Sequence, residues 1–305
     1  MQKPSVDIVI PIYNQSLSLQ LTLEGFTRQT ASMDNVNIIV VDDGSQEDLS
    51  HIIQSFQSTL PLQYFALPRS GRAVARNTGI EKGTGEMLIF CDGDRIPCET
   101  FIEEHVTAQT KAQDKNQSLL VVGQVDEMYV SHLEQNMDKA RQNAINQRHR
   151  RTPQYCKLIY NLFDQHGNTT SPIAWLSTLT GNLSCARALW ENIGGFDPLF
   201  REWGFEHFEF GYRAFLEHTS FVYCKQAINT HIAHHRNNDM YIQHIKQSHA
   251  YFYEKHATTS IAKLLDFMLG TLSLEQYEEL AAQEVKHAIP MLNPNQQSFV
   301  RIQNF

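Results

Sequence analysis

At 305 residues the chain can form one large domain or two modest ones, and its hydrophobic fraction of 42% is ordinary for a globular protein. A formal net charge of -8 argues against a general nucleic-acid binder, which would be basic, and leaves room only for a local basic site that takes a phosphorylated ligand. The five cysteines, Cys91, Cys98, Cys156, Cys185 and Cys224, form no CxxC pair and no zinc-ligand spacing, so they read as free thiols in a reducing compartment. No signal-peptide pattern precedes the first strand, and no apolar run reaches bilayer length. The expectation is a cytoplasmic protein, with peripheral contact to the inner face of a membrane as the alternative.

Val6 to Ile12, rich in Val and Ile, predicts the first strand. Leu17 to Gln29 follows with helical spacing of Leu17, Leu21 and Leu23 beside Phe26. A second apolar run, Val36 to Val41, is closed by Asp42-Asp43-Gly44-Ser45, and a helix fits Glu47 to Gln57. Leu62 to Leu67 reads as a third strand, Arg72 to Lys82 as a helix stopped by Gly83 and Gly85, and Glu86 to Cys91 as a fourth strand. Leu119 to Val125 is a fifth. Strands alternating with helices predict an α/β fold, a doubly wound, mainly parallel sheet with helices on both faces.

After Met128 the pattern changes. Ser131 to Arg151 is polar and reads as a helix ending in a basic cluster, Arg148, Arg150 and Arg151, taken as a solvated helix end. Tyr155 to Trp175 has no period and reads as a loop over a site. From Asp239 onward the chain reads as helical. Its apolar stripe, Ile261, Leu264, Leu265, Phe267, Met268 and Leu269, suits helix packing or a homodimer face; a membrane-surface helix is disfavoured because Lys and Arg are sparse there.

Polar groups gather at three strand ends: Pro11-Ile12-Tyr13-Asn14, Asp42-Asp43-Gly44-Ser45 and Asp92-Gly93-Asp94. In open α/β sheets ligands collect there. Tyr13 can pack against a base, and Asp43 can accept a hydrogen bond from a base N–H or a ribose hydroxyl. Asp92 and Asp94 end an apolar run and are costly to bury without compensation, which a divalent cation bound to phosphate oxygens supplies. The chain has no GxGxxG and no GxxxxGK[ST], so phosphate falls to a metal and to Arg69, Arg72 and Arg76, of which the last two share a helix face.

These segments, together with Ala75-Arg76-Asn77-Thr78-Gly79-Ile80 and Gly85-Glu86, resemble glycosyltransferase family 2. Thr180-Gly181-Asn182-Leu183-Ser184, Gly194-Gly195-Phe196-Asp197 and Trp203-Gly204-Phe205-Glu206 through Arg213 continue the resemblance, which covers about residues 5 to 236. It implies a GT-A fold over residues 1–238, divided into a nucleotide-sugar-binding half (1–127) and an acceptor and catalytic half (128–238), with a helical C-terminal extension over 239–305. It also implies a metal-dependent, inverting transfer from a nucleotide-diphosphate sugar, taken as a UDP-sugar, to an acceptor hydroxyl in polysaccharide or glycoconjugate synthesis. The acceptor is a glycan, a lipid-linked sugar or a small molecule.

By the same resemblance the nucleotide sugar is held by Pro11, Tyr13, Asn14, Asp42, Asp43, Arg72 and Arg76, with Asp92, Gly93, Gly181, Asn182 and Trp203 completing the site. Asp94 is the direct metal ligand and Asp92 touches the ribose or the metal. A late histidine is the further ligand, His234 first and His231 second. Such a mixed set suits Mn2+, with Mg2+ as the alternative.

The chain departs from the family at one position. Where a Glu-Asp pair after Trp-Gly commonly supplies the base from its aspartate, this sequence reads Glu206-His207. His207, Glu206 and Glu209 are the candidates for deprotonating the acceptor, since all three can accept protons. The competing readings are a non-catalytic nucleotide-sugar-binding module and a nucleotidyltransferase. The latter is disfavoured by the absence of a glycine-rich basic signature behind the first strand.

Overall fold

The computed structural model describes residues 4–113, 118–201, 204–233 and 238–284. The elements run β1 (Val6–Ile12), α1 (Ser16–Phe26), β2 (Val36–Asp42), α2 (Ser50–Phe56), β3 (Leu62–Ala66), α3 (Arg72–Lys82), β4 (Met87–Cys91) and β5 (Arg95–Pro97). There follow α4 (Phe101–Gln113), β6 (Leu119–Tyr129), α5 (Met137–Ile145), α6 (Gln154–Tyr160), β7 (Asn182–Ala186), α7 (Arg187–Ile193), α8 (Glu206–Leu216) and β8 (Ser220–Ala233). The helices α9 (Asn238–His256), α10 (Thr259–Ala262), α11 (Leu264–Met268) and α12 (Leu274–Glu284) close the described chain.

The eight strands form one sheet in the order β3-β2-β1-β4-β7-β6-β8-β5. The pairs β1–β2, β1–β4, β2–β3 and β6–β8 are parallel, while β7 runs antiparallel to both β4 and β6, and β5 antiparallel to β8. This is the mainly parallel α/β sheet that the alternation predicts. Alternate side chains of each strand feed opposite layers. Ile8, Ile10 and Ile12 of β1 join Ile89 of β4 in a core with α1 and α2. Val9, Leu88 and Phe90 face the other way, into a larger core that includes Trp175, Phe208 and Phe252. α3 lies close on β1 and β2 because Gly79 has no side chain: a Cβ there would press into Val9.

Two expectations need correcting. The single helix over Ser131 to Arg151 is a 3-10 turn at Leu133–Gln135 followed by α5, broken by Gln147 and His149 at positive φ. The segment Tyr155 to Trp175 is not a loop throughout. α6 starts behind Pro153, whose fixed φ suits a helix start, and Trp175 is fully buried in a second 3-10 turn. Strands β5, β7 and β8 had no sequence signal of their own.

In the apolar stripe, Ile261, Leu264, Phe267 and Met268 are buried in the same core as Val9 and Trp175, so most of it serves packing within the chain. All five cysteines are free thiols. Among the described residues no helix is long and apolar enough to cross a membrane.

Candidate active site

Adjacent parallel strands bring their carboxyl ends together, and two neighbouring cavities open there, sharing Arg72, Asp92 and Asp94. The first is lined by Pro11, Tyr13, Asn14, Asp43, Arg69 and Gly93. Its shape depends on a tight turn after β1, with Asn14 and Gln15 at φ 56° and 63°. Hydrogen bonds from the β2 side hold that turn, among them Asn14 N–H to Ser45 Oγ at 2.7 Å, Gln46 N–H to Asn14 Oδ1 at 2.8 Å and Ser16 N–H to Glu47 Oε2 at 2.9 Å.

Asp43 is 2% exposed and accepts hydrogen bonds from the backbone of Ser70 and Gly71 and from Arg69. That pairing sets the Arg69 guanidinium 3.8 Å above the Tyr13 ring. An aromatic face and an oriented carboxylate beside it can receive a flat, hydrogen-bonding ring.

The second cavity is centred on Arg76. This side chain, 2% exposed, donates from Nη1 to Glu206 Oε1 at 2.8 Å and from Nη2 to Asp92 Oδ1 at 3.0 Å. It ties the strand-end carboxylate to the first residue of α8. The sequence reading aimed Arg76 at a base or phosphates; the structure encloses it between two carboxylates.

Burial alone would raise the Asp92 carboxyl, but Arg76 and Arg95 outweigh it and hold Asp92 below its ordinary range. Burial likewise opposes ionisation of Glu206. The His207 hydrogen bond and charge, with Arg76, outweigh that and hold Glu206 well below the usual carboxylate range. His207 Nδ1 lies 3.6 Å from Glu206 Oε2, and both residues line the cavity.

Asp94 and His231 face each other, with Oδ2 and Nε2 3.4 Å apart. His231 reaches this place from β8, where it pairs with Arg95 of β5. One carboxylate and one imidazole fit a divalent cation such as Mn2+. Among the described residues no group of three or more His, Cys, Asp or Glu side chains is placed to hold a metal. Both Asp92 oxygens already face guanidinium groups, Arg76 and Arg95.

Several sequence candidates sit elsewhere. Asp42 accepts from Ser45 N–H and Tyr64 Oη, both at 2.8 Å, and shapes the turn rather than lining a cavity. Asn182 is fully buried, donating to the carbonyls of Gln124 and Ala227 and accepting from His105. Glu209 shares no partner with Glu206: its carboxylate, fully buried, meets Arg213, Lys255 and His256 at 2.8 to 3.0 Å. Trp203 and His234 lie outside the described residues. Gly181 lines the cavity, and a Cβ there would overlap the Arg95 guanidinium.

The sequence reading missed Arg95, Glu127 and Met268, which all line the second cavity. Only Arg95 carried a signal, a cation directly after Asp94. The basic cluster is not simply a solvated end either: Arg150 pairs with Asp126 at 3.1 Å and Arg151 with Glu127 at 2.8 Å, because buried carboxylates on β6 draw them back.

Known proteins are similar to this chain in sequence and in fold. The family model for glycosyl transferase family 2 matches residues 7–171, and that for the N-terminal domain of galactosyltransferase matches residues 168–236. Validoxylamine A glucosyltransferase of Streptomyces hygroscopicus subsp. jinggangensis is 24% identical over 264 residues, covering 83% of this chain and 61% of that protein. Among solved structures, S. aureus TarS 1-349 in complex with UDP-GlcNAc has a TM-score of 0.56 at 17% identity, over 81% of this chain and 66% of that one. The mannosyltransferase PcManGT from Pyrobaculum calidifontis, in complex with GDP-Man and Mn2+, has a TM-score of 0.54 at 17% identity, over 82% and 64%. The chain thus spans less than two thirds of the length of each of these relatives, and the two structures share its fold.

Proposed function

The chain belongs to glycosyl transferase family 2, and from that premise we propose that it moves a sugar from a UDP-sugar to an acceptor hydroxyl, with inversion and with a divalent metal. The observation that carries this reading is a single cavity in which Asp92, Asp94 and His231 face the Glu206–His207 pair, opening onto the Tyr13–Asp43–Arg69 cavity. The ligands of the two structural neighbours, a UDP-sugar in one and a GDP-sugar with Mn2+ in the other, support a nucleotide-sugar donor and a metal.

In this reading the nucleotide lies against Tyr13 and Asp43. Asp94 and His231 hold the cation, which when bound offsets the charge that builds on the departing diphosphate. His207 takes the acceptor proton. Its Nδ1 faces the Glu206 carboxylate, which leaves Nε2 to receive the proton. As the acceptor oxygen bonds to C1 of the sugar, the bond from C1 to the diphosphate oxygen breaks and its electron pair leaves with the diphosphate. Attack on the face opposite the leaving group inverts C1.

Glu206 is unsuited to be the base, because Arg76 and His207 stabilise its anion. Glu209 is engaged with Arg213, Lys255 and His256 and does not line the cavity. Both leave His207 as the base and make Glu206 its positioning partner.

The test is release of UDP from UDP-sugars with Mn2+ and a panel of hydroxyl acceptors. Asp94→Ala is expected to abolish metal-dependent turnover. Full activity of that variant, or of the chain in excess chelator, would overturn the metal-dependent reading.

A further inference from the structure

One corner of the sheet lays Glu127, His231 and Arg95 side by side. β6 pairs Glu127 with His231, and β5 pairs Arg95 with the same His231. Directly opposed residues point to the same face of a sheet, and all three line the cavity shared with Glu206 and His207. None of them lines the nucleotide-side cavity.

Arg95 packs against Gly181, where a Cβ would overlap it. Its Nε approaches Asp92 Oδ2 at 3.4 Å, while Nη1 is buried and has no hydrogen-bond partner among the described residues. An unsatisfied buried donor is costly, so a ligand entering the cavity gains by completing it. Glu127, buried on the other side of His231, accepts from Arg151 through Oε1.

We propose that this row is the floor on which the transferred sugar rests, with Arg95 Nη1 donating to one sugar hydroxyl and the Glu127 carboxylate accepting from another. The assignment rests on the donor reading above. Charge selects the class of sugar. Among the described residues of this cavity, Arg72, Arg76 and Arg95 are matched by Asp92, Asp94 and Glu206, and Glu127 is matched by Arg151. A divalent cation and a diphosphate also offset each other. Among the described residues no Arg or Lys of this cavity is left over for a sugar carboxylate, so the row fits a neutral sugar better than a uronic acid.

The experiment is calorimetric titration of the full chain, with Mn2+ present, by UDP, UDP-glucose, UDP-N-acetylglucosamine and UDP-glucuronate. It compares the wild type with Arg95→Met and with Arg95→Lys, which keeps the charge but loses the planar fork. At least one neutral UDP-sugar should bind more tightly than UDP, and UDP-glucuronate should not. Both variants should weaken that neutral UDP-sugar by about tenfold and UDP itself by less than about twofold, as expected for losing one charge-assisted hydrogen bond. Retained UDP binding also shows that the variants fold.

Equal losses for UDP and UDP-sugar would make Arg95 a diphosphate contact and overturn the proposal. So would tighter binding of UDP-glucuronate that vanishes with Arg95. A wild-type chain that binds no UDP overturns the donor reading itself, and this assignment falls with it.

Discussion

The two cavities are built in opposite ways. The Tyr13–Asp43 cavity, where the proposal places the nucleotide, draws its lining residues from positions 11 to 94, at the ends of neighbouring parallel strands, the turns that follow them and the first turn of α3. The sugar-side cavity takes residues from as far apart as Arg72 and Met268, and its central contact, Arg76 to Glu206, joins residues 130 positions apart. Strand ends concentrate polar groups by topology alone. A wall assembled from α3, α6, α8, β8 and α11 requires all of those elements to be packed first. The first cavity can therefore be read from spacing, and the second depends on the whole fold.

His207→Ala is the sharpest way to separate the two. It should lower the turnover number by roughly 100-fold to 10,000-fold, the usual contribution of a general base, while UDP affinity stays the same. Steady-state kinetics beside a UDP titration checks it. A fall in UDP affinity with an unchanged turnover number would move His207 to the nucleotide side.

A middle-sized effect comes from the fastening of the sugar-side wall. α8 is held to α9 by Glu209, whose buried carboxylate meets Arg213, Lys255 and His256. Burial opposes its ionisation, but His256, Arg213 and Lys255 outweigh this and bring it down to about 2. A carboxylate depressed in the folded state contributes stability that is complete above its unfolded value near 4.5. That stability is lost as pH falls from about 4.5 towards 2. The amount is on the order of 3 kcal/mol. Denaturant unfolding at pH 7 and pH 3 should show roughly two thirds of that loss in the wild type, because pH 3 still lies above the folded value. Glu209→Gln should be less stable at pH 7 and flatter with pH; a variant with the wild-type slope would refute the linkage.

The smallest effect belongs to the nucleotide side. Tyr13 is partly exposed and Arg69 more than half exposed, so their contact is worth only about 0.5–1 kcal/mol. Tyr13→Ala should weaken UDP binding several-fold, base contact included, and leave turnover at saturating donor nearly unchanged. A large loss of turnover would mean that the two cavities are more tightly coupled than their construction suggests.

These contrasts match what could be read in advance. The alternation of strands and helices from Val6 to Cys91 was legible because buried strands demand apolar runs and their ends demand polar turns. So were the Asp92-Gly93-Asp94 turn and the Tyr13–Asp43 pair. The Glu206-His207 departure was visible as residues, but only packing separated the two glutamates: one carboxylate meets Arg76 and the other meets α9. β8 was missed because its exposed middle carries Cys224, Lys225 and Gln226, which interrupt any period.

By itself, then, the sequence determined the sheet's parallel half, the acidic strand end and the membership in a family of sugar-transferring folds. The first two follow from local rules of burial and turn chemistry that act within a few residues, and the third from the resemblance that the motifs carry. The tertiary structure alone decided that Arg76 is enclosed between Asp92 and Glu206, that His231 meets Asp94, and that Arg95 and Glu127 flank that histidine. Each of these depends on strand order and register, which bring together chain segments that carry no information about one another's distance.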